Sequence, residues 1–296
     1  MLSTQKLITM TKKDLIDIIK NLKSLLPDDI ACRALKGKVE EELNIAIVDE
    51  IKSRFNPTHF AKKGWKCSPP KSYTHLRTRC SIDVAVLKDN IQPVSLMEMK
   101  AHNSIDFPGW LIEARTHYHM VYDILKMIEN AQPDTELYFI FFNNVLNLTT
   151  PVPLNCKNLS DFRILYKGLL SSRHKCNLMP YNEKVLRVLK NWAYLLEQLG
   201  LPLNQTDAVE INAGSCCDIP VSIIAFVYGS FTKENIDVLD SQVYNIPVDK
   251  PFKDSKFWEK EPYKNDLERI KLDGIKLYYE NKELENLGNG VISEPI

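Results

Sequence analysis

The chain has 296 residues, 44% hydrophobic and 26% charged, the makeup of a soluble protein that can bury a large core in one domain or two modest ones. Its 38 basic residues balance 38 acidic ones, which excludes a whole-molecule pull on nucleic acid and leaves only a local patch to supply one. No apolar run approaches the roughly 18–20 residues that span a bilayer, the N-terminus lacks a signal-peptide core, and seven scattered cysteines without a CxxC pair read as free thiols of a cytoplasmic protein with no zinc site.

In chain order, the first helical pattern runs from Thr11 to Leu26, with Leu15, Ile18, Ile19, Leu22 and Leu25 on one stripe and Thr11 as N-cap. After Pro27-Asp28-Asp29 a second helix is expected through GKVEEELNIAIVDEIKSRF, with Leu35, Val39, Leu43, Ala46 and Ile47 as its apolar stripe and Asn56-Pro57 as its stop. Between Phe60 and Arg79 stand Lys62, Lys63, Lys66, Lys71, Arg77 and Arg79 with no acidic residue among them, interleaved with Trp65 and Tyr73. That stretch suits phosphate contact.

CSIDVAVL and PVSLMEMKA then read as two adjacent strands around a turn at Lys88-Asp89-Asn90. A helix is expected over 108–130, followed by ELYFIFFNNVL, a strand apolar on both faces. The order to this point is helix, strand, strand, strand, helix, strand. Beyond Thr149, a helix is expected over Asn182 to Leu199, a buried strand over Ile219 to Val227, and a charged tail from Asp249 with a helix from Tyr263 towards Ile270. Residues 1–150 thus form a core with an accessory N-terminal helix. Residues 151–296 form a helical and β extension, either a separate module or the completion of the same domain.

The chemistry lies in the paired strands. Side chains alternate along a strand, so Glu98 and Lys100 emerge on one face about 6.6–6.8 Å apart. Asp83 lies opposite in phase to Ile82, Val84 and Val86, and a hairpin brings it beside Glu98. Two carboxylates and an ammonium group make the inventory that phosphodiester cleavage requires: oxygen ligands for Mg²⁺, with Mn²⁺ able to substitute, and a cation to stabilise charge or orient the nucleophile. Glu42, beside the apolar stripe of the preceding helix, is the choice for a further metal ligand, with Glu41 second. His102 shares the strand face of Lys100 and is a candidate for phosphate or base contact, a solvated histidine being the alternative. His117 and His119, spaced i,i+2 on a helix, do not face each other, and Cys216-Cys217 reads as a pair of small buried side chains.

Ser81-Ile82-Asp83 and Glu98-Met99-Lys100, set after a Glu-bearing helix and before a helix and strand, resemble the PD-(D/E)XK nuclease superfamily, which includes type II restriction endonucleases. The resemblance covers roughly residues 37 to 146. Ser-Ile stands where the simplest pattern has proline, and the glutamine that some members carry in the following helix is not found beside Tyr118 and Tyr122. The resemblance implies an α/β fold with a restriction-endonuclease-like αβββαβ core, a mixed central sheet flanked by helices, and additional helices and strands C-terminal to it. It also implies Asp83, Glu98 and Glu42 as metal ligands, Lys100 as catalytic lysine, and hydrolysis of DNA without an organic cofactor. A homodimer is expected where both strands of a palindrome are cut. The alternatives are a non-cutting nucleic-acid-binding or interaction protein of the same fold, and a junction- or RNA-directed nuclease.

Overall fold

The computed structural model describes residues 10–35, 39–55, 59–70, 80–102, 120–146, 201, 203–216, 219–231 and 271–273, together with Trp192 and Leu196. Helix α1 (Lys12–Asn21) begins at Thr11 in a reciprocal cap: the Asp14 N–H donates to Thr11 Oγ1 at 3.3 Å and the Thr11 N–H donates to Asp14 Oδ2 at 2.8 Å. It buries Leu15, Ile18 and Ile19, then tightens into a 3₁₀ turn (Leu22–Leu25) before Pro27. Helices α2 (Ile30–Leu35) and α3 (Glu40–Phe55) follow.

Among the described residues a seven-stranded mixed sheet forms the centre, in the order β1-β2-β3-β4-β6-β5-β7. Its strands are β1 (His59–Cys67), β2 (Cys80–Lys88), β3 (Gln92–His102), β4 (Glu136–Leu146), β5 (Thr206–Cys216), β6 (Ile219–Gly229) and β7 (Lys271–Asp273). Pairs β1/β2, β2/β3, β4/β6 and β5/β6 are antiparallel; β3/β4 and β5/β7 are parallel. Helix α4 (Met120–Asn130) stands between β3 and β4, as a parallel connection requires.

Both faces of the sheet are covered. On one, Val84, Val86, Met97, Met99, Tyr138, Ile140 and Phe142 pack with the buried side chains of α1 to α3. On the other, Trp192 stacks on Phe139, Phe141 and Phe226 at ring-centroid distances of 6.2, 5.9 and 5.7 Å, and its indole N–H donates to Thr206 Oγ1 at 3.0 Å. This double coverage is why β4 is apolar at consecutive positions. The described strands beyond 150 extend the same sheet: β6 pairs with β4 from Tyr138 to Leu146. The N-terminal elements reach that half too, since Lys12 pairs with Asp207 at 2.7 Å and Lys23 Nζ donates to Ala213 O at 2.9 Å.

Two expectations change. The cysteines are not all free: Cys32 of α2 and Cys216 of β5 form a disulfide across 184 residues of sequence, a pairing that spacing alone cannot reveal. The segment from Phe60, described from sequence as a basic stretch without strand bounds, begins as strand β1 at the sheet edge, where lysines guard against unwanted pairing, and it supplies the first of the three successive strands in the expected order. Among the described residues no helix is long and apolar enough to cross a membrane. The first part of the 108–130 helix, nearly all of the 182–199 helix, the tail helix, Lys71, Arg77, Arg79, His117, His119 and Cys217 lie outside the described residues.

Candidate metal and phosphate centre

One irregularity in the β2/β3 hairpin sets the site. Asp89 and Asn90 turn the chain with positive φ (50° and 62°), and the Ile91 N–H donates to Lys88 O at 3.1 Å, a type I′ geometry. Nearest the turn, Leu87 pairs with Pro93; a register shift follows, after which Val86 pairs with Ser95 and Val84 with Met97. The extra residue of this bulge is Val94. Continuing the shifted register puts Asp83 opposite Glu98; without the shift it would meet Met97, whose side chain points to the other face.

Backbone donors lock the pair. The Asp83 N–H donates to Glu98 Oε1 at 3.2 Å and the Met99 N–H donates to Asp83 Oδ2 at 2.8 Å. Lys100 Nζ lies 3.7 Å from Asp83 Oδ2 and 3.6 Å from Glu98 Oε2, and donates to Met99 O at 3.0 Å. The three side chains singled out in the sequence therefore meet.

Two further groups arrive from α4. Asp123 Oδ2 is 3.2 Å from Lys100 Nζ, and Lys126 Nζ lies 2.6 Å from Glu98 Oε1, 3.1 Å from Asp123 Oδ1 and 2.8 Å from Ser81 O. Asp123 and Lys126 are one helical turn apart, which aims both at the sheet. Both are buried, as are Glu98 and Lys100. The signal that would have found them is a charged i,i+3 pair inside an apolar helix whose neighbours Tyr122, Ile124, Leu125 and Met127 are all buried.

Glu42, the carboxylate expected from the preceding helix, does not reach this cluster. That side chain is held by Arg33 at 2.7 Å, whereas Glu40, about 200° away around α3 by helical geometry, accepts the Ala101 N–H at 3.0 Å beside Lys100. Glu41 is paired with Lys63. On β1, Lys62 and Lys66 pair with Ala85 and Ser81, the positions flanking Asp83 on its own face. Lys63 belongs to the α3 side. Only the backbone of His102, at the end of β3, is described.

Among the described residues, four carboxylates, from Glu40, Asp83, Glu98 and Asp123, thus face two ammonium groups, from Lys100 and Lys126, leaving two negative charges in excess when all are ionised. The strain of that imbalance falls on Glu98: burial, then Asp123 and Asp83, push its carboxyl well above the usual range against the pull of Lys126 and Lys100. Burial raises Glu40 as well, with Lys100 opposing. Lys100 stays protonated; burial works against its charge, but Asp123, Glu98, Asp83 and Glu40 outweigh it. Asp123 ends below the usual range because Lys100 and Lys126 overcome the effect of burial.

A hard divalent cation suits this donor set: all carboxylate oxygens, a double negative excess among the described residues, and Asp123 Oδ2 buried 3.2 Å from the Lys100 ammonium group. Among the described residues no three acidic, His or Cys side chains already surround one point as a metal shell. The lysine ammonium groups stand among the carboxylates instead. No protein-family model, curated protein or solved structure matches the chain.

Proposed function

We propose that the chain is a Mg²⁺-dependent endonuclease that hydrolyses phosphodiester bonds in DNA, in the manner of the PD-(D/E)XK superfamily and of a type II restriction enzyme within it. The observation that supports this most is the meeting of Asp83, Glu98 and Lys100 on one sheet face, a placement that depends on the one-residue register shift of the hairpin. Asp83 and Glu98 would hold the metal, with Glu40 in the helix position that the sequence suggests for Glu42. When bound, Mg²⁺ polarises the scissile phosphate and lowers the pKa of a coordinated water. Lys100 places a fixed positive charge where negative charge develops on the phosphate. Lys62 and Lys66, on the same face, contact flanking phosphates, so binding weakens with salt.

A second reading, a nucleic-acid-binding protein of this fold that does not cut, draws support from one feature: both acidic ligands already face lysine ammonium groups. Cleavage separates the two. Purified protein with MgCl₂ is expected to cut plasmid or linear DNA, and Asp83→Ala and Lys100→Ala are expected to abolish cutting while DNA is still bound. Intact plasmid, linear and single-stranded DNA across a range of salt, with structured RNA and four-way junctions also uncut, would rule out the enzyme.

A further inference from the structure

We infer that the Lys126 ammonium group is an intramolecular counter-cation that competes with the divalent metal for Glu98, so that metal binding exchanges one for the other; this rests on the metal-centre reading above. At 2.6 Å, the Lys126 contact to Glu98 Oε1 is the shortest ion pair of the cluster, against 3.6 Å from Lys100 to Oε2 of the same carboxylate. Oε1 also accepts the Asp83 N–H, and Glu98 is 1% exposed, so water cannot take over the contact. A second cation on that oxygen would stand close to the ammonium group in a poorly screened interior, where like charges repel strongly.

Lys126 has somewhere to go. An ammonium group has three N–H donors, and those of Lys126 face Glu98, Asp123 Oδ1 and Ser81 O, with the Tyr122 ring 5.6 Å away. Losing Glu98 leaves the other two partners in place, one helical turn and one strand away. Lys100 is held differently: it lies 3.2 to 3.7 Å from three carboxylates, a looser contact that tolerates a metal beside it. The two lysines therefore differ in what they do. Lys100 acts on substrate, and Lys126 is a positioning residue that holds Glu98.

Calorimetric titration of the full chain with MnCl₂, in wild type and Lys126→Gln, tests this. Without the competing charge, Mn²⁺ binds roughly 5- to 150-fold more tightly, the range of ordinary site-to-site coupling. The variant also melts lower in EDTA and gains more in Tm from MnCl₂ than wild type does, because at a given concentration a ligand stabilises the folded state more the more tightly it binds it. A lysine that merely filled space or braced the helix would lower both melting points together and leave the Mn²⁺ affinity equal or weaker, which overturns the inference while the metal centre stands. Absence of Mn²⁺ binding in wild type and variant alike overturns the metal-centre reading with it. Should Lys126→Gln not fold in EDTA, the Asp123→Asn/Lys126→Gln double variant removes one charge of each sign, and the same tightening is expected of it.

Discussion

Glu40 and Glu42 are two residues apart and chemically identical, yet one reaches the cluster beside Lys100 while the other is held by Arg33. Helical phase decides between them, and in the first turn of α3 the apolar stripe is too short to reveal that phase from sequence. Glu40→Gln is expected to lower the cleavage rate roughly 10- to 100-fold, the usual effect of losing a group that supports a metal site; Glu42→Gln should stay near wild type. The opposite order in a steady-state assay would return the role to Glu42. The same difficulty hides Asp123 and Lys126, whose polar side chains fall within an apolar helix and leave its stripe intact. Asp83, Glu98 and Lys100 are readable because a strand alternates strictly: only one assignment of faces sends Val84, Val86, Met97 and Met99 into the core.

At the level of elements, β2, β4 and β6 announce themselves through β-branched and aromatic runs, and β3 through its apolar residues after a turn signal. Strand β1 does not, because Lys62, Lys63, Gly64 and Lys66 are poor strand formers that an exposed edge nonetheless favours. Strand β5 is hidden for a related reason: it is built from small and polar residues such as Ala208, Asn212, Ala213 and Gly214, and β6 beside it supplies much of the apolar mass. The β1/β2 pairing has a chemical consequence. Cys67 and Cys80 are directly opposite, with their Sγ atoms 2.9 Å apart, and both are free. Burial first, then Cys80, pushes the Cys67 thiol far above its usual range. Since the thiolate is the nucleophile, a raised pKa means little of it at neutral pH. Iodoacetamide at neutral pH should therefore label Cys67 much more slowly in the folded chain than in urea. Equal rates would contradict that environment.

For the whole molecule, the question left open by sequence is whether the residues after 150 form a separate module. Pairing of β6 with β4 and of β5 with β6 makes these described strands part of the one sheet, and the Cys32–Cys216 disulfide ties its far half to α2. Local patterns cannot disclose this, because sheet order and disulfide partners are set by contacts between distant residues. Removal of everything after 150 would expose the edge of β4 from Tyr138 to Leu146, a long apolar strand with unpaired backbone groups. The truncated chain is expected in the aggregated fraction by size-exclusion chromatography. A monomeric, cooperatively melting fragment would mean that the first 150 residues are self-sufficient.

The centre proposed for catalysis is tested most directly by a crystal of the full chain grown with MnCl₂, with anomalous scattering recorded to locate manganese. One Mn²⁺ is expected, coordinated by Asp83 and Glu98, with Lys100 close by and Lys126 withdrawn from Glu98 onto Asp123 and Ser81 O. A cluster that excludes manganese even at millimolar concentration on the order used for weakly bound divalent ions, with Lys126 still on Glu98, would contradict the metal centre and leave these charges as a buried ion network that supports only the fold.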